Sequence, residues 1–223
     1  MEKTLDSSHH GDITRPPDLH EPHGTGPVRR QEPVSVNSIP PCNHACPAGE
    51  NIQGWLDLAQ AGNFREAWKL LVRDNPMPAV HGRVCYHPCE SMCNRSEVDQ
   101  AVSIHAVERF LGDLAIAEDW RVTPDVAPTG KKVLIVGAGP SGLSAGWHLS
   151  LLGHAVEIRE AGPMAGGMLR FGIPAYRMPR DVLDAEITRI EAAGVTLRLN
   201  HKVDDVLAAK AEGDFDAVFM AIG

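Results

Sequence analysis

Two sets of residues in this chain have types and spacings that could do chemistry. The first is its five cysteines: Cys42 and Cys46 in PPCNHACP, then Cys85, Cys89 and Cys93 in GRVCYHPCESMCNR. Disulfides fit poorly with an odd count and no signal segment opening the chain, which together point to a reducing, cytoplasmic setting. Zinc sites ordinarily use a C-x2-C knuckle, whereas the spacing here is C-x3-C. Pro47 follows Cys46 as a proline follows the last cysteine of bacterial ferredoxin runs, and thiolates four residues apart share one side of a helical turn, though Pro88 interrupts any continuous helix from Cys85. Spacing alone leaves an iron–sulfur cluster, zinc and unliganded thiols all open.

The second set is Gly137, Gly139 and Gly142, directly after the apolar run Val133 to Val136. Such a run has the length and β-branched content of a strand buried on both faces. The first glycine permits a tight turn, the second lets backbone approach a pyrophosphate, and the third lets the next helix pack against the strand. The N-terminus of that helix then turns unpaired N–H groups and its positive dipole end toward the phosphates. A second strand, Ala155 to Arg159, ends at Glu160, 23 residues beyond Gly137, where a carboxylate can accept from a ribose diol. Gly166 and Gly167 can again bring backbone against a flat or anionic ligand. The 21 residues Val133 to Gly153 lack Asp, Glu, Lys and Arg. Their glycines, Pro140, His148 and strand-to-helix break nevertheless argue against a membrane span.

The elements that must position these groups follow from length and periodicity. A chain of 223 residues with 43% apolar content accommodates two small domains. Its net charge of −8 is concentrated before residue 130, with 18 acidic and 11 basic residues there against 11 and 10 afterwards. That balance disfavours nucleic acid as a partner. Residues 1 to 33, rich in His, Pro, Gly and charge, read as a mobile arm. Residues 34 to 120 hold the cysteines and three amphipathic helices: Ile52 to Ala61, Phe64 to Asp74 with Asn63 as N-cap, and Val102 to Ala117. The last carries Ile104, Val107, Phe110, Leu111 and Leu114 at helical spacing. Residues 121 to 130, with Pro124 and Pro128, read as a linker. From 131 to 223 the pattern is α/β, with a helix from Pro179 to Ala193, a strand Val195 to Asn200, a helix over 204 to 211 and a buried strand Asp216 to Ile222. A doubly wound domain ordinarily continues with more strands, so the expectation is a truncated parallel sheet in an N-terminal piece or a compact partner-dependent subunit.

With both halves read, the chain resembles the N-terminal part of the small subunit of NADPH-dependent glutamate synthase and the equivalent region of dihydropyrimidine dehydrogenase. The resemblance rests on IPPCNHACP, GRVCYHPCESMC, VSIHAVERF, VGAGPSG and GGMLRFGIPAYRMP in that order. It implies a small all-α iron–sulfur domain followed by a Rossmann-like FAD-binding domain. FAD then lies on Gly137, Gly139, Pro140, Ser141 and Gly142, with Glu160 on the ribose, Gly167 and Met168 along the flavin, Arg177 approaching it and the backbone near Val203 meeting adenine. The family's first cysteine run has four members, and here its first two positions hold Val34 and Asn37. The cluster those two would share with Cys42 and Cys93 therefore lacks half its thiolates. The resemblance assigns a second cluster to Cys46, Cys85 and Cys89, with Glu108 as fourth ligand. Cys93 is the softer competitor for that position, but would need the 89–93 turn to rotate.

The expected protein is an electron-transfer flavoprotein subunit. NAD(P)H is substrate of the complete protein, FAD and one [4Fe-4S] cluster are its cofactors, and its hetero-oligomeric partner is a catalytic subunit of glutamate synthase or 2-oxoacid oxidoreductase type. No catalytic side chain is expected, because the cofactors carry the chemistry. No membrane is involved in this reading. The alternative is a non-catalytic module that holds cofactors within a larger redox complex, which the single GxGxxG in these residues favours.

Overall fold

The protein is described by a computed structural model over residues 39–223. The expected arm 1–33 and the substituted positions Val34 and Asn37 lie outside the described residues. Residues Pro40–Gly223 form one compact unit, with a helical layer first and a parallel sheet after it.

The helical layer comprises α1 (Pro41–Ala45), α2 (Ile52–Gln60), α3 (Phe64–Asp74), α4 (Pro78–Val84), α5 (Pro88–Ser91) and α6 (Ile104–Ala117). Helix α2 starts where the Asn51 side chain accepts from Gly54 N at 3.1 Å, satisfying one of the four amides a helix leaves unpaired at its start. Asn63 occupies the same position before α3 but makes no side-chain cap bond. Only its carbonyl serves, accepting from Ala67 N. Helix α3 buries Ala67, Trp68, Leu71 and Val72, a stripe at the helical period.

Helix α6 turns Ile104, Val107, Leu111 and Leu114 toward the core as their spacing suggests, but adds Glu108, Gly112 and Ala115 and leaves Phe110 outside. Its buried residues are Ile104, Glu108, Leu111, Gly112 and Ala115, and Phe110 is 48% exposed. The reason is the crossing with α4. A Cβ on Gly112 would come 2.3 Å from Ala79 N and one on Gly82 would come 2.6 Å from Arg109 N, so the two backbones touch through these glycines. Phe110 packs edge-on against Phe64 on the outer surface instead, with ring centroids 5.2 Å apart.

The second layer holds β1 (Lys132–Val136), α7 (Pro140–Leu151), β2 (Ala155–Arg159), α8 (Gly167–Phe171), α9 (Arg180–Ala192), β3 (Val195–Arg198), α10 (Val206–Glu212) and β4 (Ala217–Met220). All pairings are parallel and the order is β3-β2-β1-β4. The chain order thus reverses between β1 and β4, the place where doubly wound sheets bind ligands beyond their strand ends. β1 is buried as its apolar run requires. β4, expected to be buried, is largely exposed. It is an edge strand, and only the short α10 covers its side of the sheet.

The two layers share one hydrophobic core. Trp55, Trp68 and Leu71 of the helical layer belong to the same buried cluster as Leu143, Trp147, Ile158 and Ile190 of the α/β layer. Polar groups pin the joint. Trp147 Nε1 donates to Val72 O at 3.0 Å, and Glu186 accepts from Ala79 N at 2.8 Å. Arg189, paired with Glu186 and bonded to Pro76 O, lies between the rings of Trp68 and Trp147 at 5.3 and 5.2 Å. Among the described residues no helix is long and apolar enough to cross a membrane.

Candidate functional site

The glycine turn leaves β1 and enters α7, and its three glycines meet different constraints. Gly137 has φ +107°, and a Cβ there would sit 2.3 Å from Ala221 O. Gly142 would place a Cβ 2.0 Å from Gly137 O and 3.2 Å from Ile135 Cγ2. Both are required by the fold itself. Gly139, with φ −77°, is not, because a Cβ there would meet nothing closer than Gly167 Cα at 4.0 Å. The space beside Gly139 is therefore open in the folded chain.

That space is a cavity of about 850 Å³ lined by Gly137, Gly139, Pro140, Ser141, Glu160, Gly167, Met168 and Val203 among others. Its volume falls within the range of cofactor clefts. The Glu160 carboxylate accepts from Ala138 N through Oε2 and from Gly162 N through Oε1, each at 2.8 Å. It is thereby fixed at the tip of β2, and each oxygen keeps acceptor capacity for a hydroxyl. Gly166 N donates to Ala138 O at 2.8 Å, which seats the second glycine pair directly on the first turn.

Two expected residues are not in the lining. Gly142 supports the turn from beneath, and exposed Arg177 stands outside, close enough to His87 for its charge to act there. The structure adds Phe171 and Met164 on one wall, and His201, Lys202, Met220, Ala221 and Ile222 on others. The last groups follow β3 and β4. Their signal in the sequence was position, since ligands gather beyond the carboxyl ends of parallel strands.

The cysteines are all free. Cys46 ends α1, Cys85 ends α4 and Cys89 lies buried in α5. Burial pushes the Cys89 thiol up to about 12, and the nearby Cys46, Glu90 and Cys85 add to the effect. Burial also pushes Cys46 up, opposed by backbone hydrogen bonds from Glu50, Ala48 and Gly49. Cys46 and Cys85 are near enough for their charges to act on Cys89, and His87 N donates to Cys85 Sγ at 3.3 Å. This soft, mutually repelling donor set fits an iron–sulfur centre. No group that could hold a single metal ion occurs among the described residues, but a cluster distributes its ligands over several irons and needs them further apart.

Glu108 is placed differently. It is 5% exposed and accepts from Asn75 Nδ2 at 2.7 Å, and Asn75 also donates to Glu50 at 3.0 Å. Burial and the Glu50 carboxylate hold Glu108 well above the usual carboxylate range, while Asn75 opposes them. The structure thus gathers Cys46, Cys85 and Cys89 and bonds Glu108 to Asn75.

Comparison with known proteins agrees with both halves. Residues 36–120 match the family described as dihydropyrimidine dehydrogenase domain II, 4Fe-4S cluster, and residues 135–179 match the NAD(P)-binding Rossmann-like domain. The chain is 39% identical to the NADP(+)-dependent formate dehydrogenase subunit beta of Moorella thermoacetica, over 82% of this chain and 29% of that protein. It is 38% identical to the NADPH-Fe(3+) oxidoreductase subunit beta of Geobacter sulfurreducens, over 82% and 28%. With the glutamate synthase [NADPH] small chain of Escherichia coli it shares 35% identity, over 92% and 45%. The chain spans less than half the length of these curated relatives. The chain thus carries a 4Fe-4S domain followed by an NAD(P)-binding Rossmann-like domain, and its homologues are glutamate synthase small chains and dihydropyrimidine dehydrogenase-like subunits.

Proposed function

We propose that this chain is the cluster- and flavin-holding region of an electron-transfer oxidoreductase subunit that takes electrons from NAD(P)H and exchanges them with a partner catalytic subunit. The observation that carries this reading is the placement of a thiol trio and a dinucleotide-sized cavity in one body with a common core. A fixed separation is what transfer between two centres requires. The relatives support it through their names, which are those of NADP- or NADPH-linked subunits of larger enzymes.

When bound, FAD converts between two-electron hydride chemistry and the one-electron chemistry of a cluster. The chain's own contribution is to bind and orient. Gly137, Gly139, Pro140, Ser141 and Gly142 shape the pyrophosphate turn, Glu160 accepts from the ribose, and Val203 faces adenine. Gly167 and Met168 lie along the flavin, with Arg177 reaching it from the cysteine side. Cys46, Cys85 and Cys89 hold one [4Fe-4S] cluster, with Glu108 as fourth ligand. The residues 34–120 serve as the cluster domain, 121–130 as linker and 131–223 as the flavin domain. The setting is cytoplasmic and the assembly hetero-oligomeric.

The test is cofactor analysis of the full-length protein after anaerobic reconstitution. Non-covalent FAD with about four irons per chain and one reduced EPR signal agrees with the proposal. Bound NAD(H) without flavin, or about eight irons per chain, overturns the corresponding assignment.

A further inference from the structure

We infer that Arg180 is a positioning residue that fixes the flavin-side wall of the cavity relative to the helical layer. Its guanidinium gathers three backbone carbonyls. Nη1 donates to Leu169 O at 3.0 Å and to Met178 O at 3.1 Å, and Nη2 donates to Ile173 O at 2.7 Å. All three carbonyls belong to the segment 169–178, which contains the end of the five-residue helix α8 and an irregular stretch through Pro174. A short helix leaves its last carbonyls without helical partners, and Arg180 supplies one of them, at Leu169, together with two carbonyls of the irregular stretch that follows.

One end of this segment meets the cavity: Phe171, with Gly167 and Met168 just before the segment, lines it. The start of the segment is tied separately. Arg170 Nε donates to Ala165 O and its guanidinium pairs with Asp184. Arg180 itself opens α9, whose Glu186 and Arg189 are bonded to the helical layer at Ala79 and Pro76. Its guanidinium therefore refers the strap to the joint with the helical layer.

A planar fork with several fixed donors can reach three carbonyls at once, whereas an ammonium on a flexible stem cannot hold the same set. Arg180→Lys is accordingly a partial replacement and Arg180→Met a complete one. The inference rests on reading the cavity as an FAD site, and the experiment has two arms that separate the two claims. Both use the full-length protein.

In the first arm, hydrogen exchange over 169–178 is compared in wild type, Arg180→Lys and Arg180→Met. Exchange should quicken in both variants, most in Arg180→Met, while α3 and α6 keep their protection. Unchanged exchange in the strap would overturn the inference whatever the cavity binds. In the second arm, FAD and ADP are titrated. Arg180→Met should raise the FAD dissociation constant about tenfold and leave ADP affinity unchanged, because the glycine turn and Glu160 are untouched. Equal losses for FAD and ADP, or none for either, would overturn it. A wild-type protein that binds ADP but no FAD refutes the flavin reading, and the exchange arm still decides the role of Arg180.

Discussion

Replacing Gly139 by alanine separates a glycine kept for a ligand from glycines kept for the fold. Gly139 has φ −77° and ψ −178°, an extended conformation open to any residue, and the added methyl would meet only Gly167 Cα at 4.0 Å. Two small effects on stability then oppose each other. Alanine restricts the unfolded chain, which stabilises by about 0.4–1 kcal/mol. It is also a poorer N-cap than glycine for α7, at a cost of up to about 1 kcal/mol. The urea midpoint should therefore move little. Binding should suffer more, because the methyl enters the space through which backbone approaches a pyrophosphate. Loss of charge-assisted contacts there costs about 1.5–3 kcal/mol, or roughly ten- to a hundredfold in affinity.

Gly137→Ala and Gly142→Ala serve as controls. The first forces alanine into φ +107° with its methyl 2.3 Å from Ala221 O, and the second drives a methyl to 2.0 Å from Gly137 O. Each should destabilise by at least about 1–3 kcal/mol before any ligand is added. The assay is urea unfolding of ligand-free protein beside fluorescence titration with FAD and with ADP. A Gly139→Ala protein that unfolds like the controls, or binds FAD as wild type does, would refute the reasoning.

Serine at Cys46, Cys85 or Cys89 should abolish the reconstituted cluster spectrum, while Cys42→Ser leaves it intact; equal loss at Cys42 would place the cluster elsewhere. Loss of the cluster in Cys93→Ser with retention in Glu108→Gln would transfer the fourth position to Cys93. Arg189→Met leaves Glu186 buried without its partner and should cost about 3–5 kcal/mol in chemical unfolding. Adding Glu186→Leu should recover much of that, and a double variant no better than the single one would show that the pair does not act as a unit. His81 is half-buried with Nδ1 2.6 Å from Asn75 Oδ1, and its desolvation with the charge of His87 lowers its pKa to about 4. The unfolded chain binds the proton more tightly, so this contribution to stability is complete above about pH 6.5 and is lost as pH falls toward 4. Midpoints of wild type should fall across that window more steeply than those of His81→Phe, and parallel curves would refute the assignment.

Sequence alone determined the elements and the chemistry of the turn. The run Val133 to Val136 followed by three spaced glycines specifies strand, turn and helix N-terminus, because the positive φ of Gly137 and the close approach at Gly142 exclude a side chain. Helix α3 and strand β2 lie where their periodicity put them. The thiols were legible as a soft donor set from their spacing and from Pro47. What local pattern could not show was anything decided by contact across the chain. Phe110 is outside and Glu108 inside because Gly82 and Gly112 let α4 and α6 touch. The short helices α4, α5 and α8 escaped notice because each begins at proline or glycine and is too brief to show a period. Residues after β3 and β4 joined the cavity only when the parallel order brought their strand ends beside β1 and β2. The joint through Arg189, Trp68 and Trp147 likewise unites residues distant in the chain, Trp68 and Arg189 being 121 positions apart. Local sequence sets backbone preference and polarity, whereas which faces meet depends on packing many distant side chains at once, and that is settled only in the folded chain.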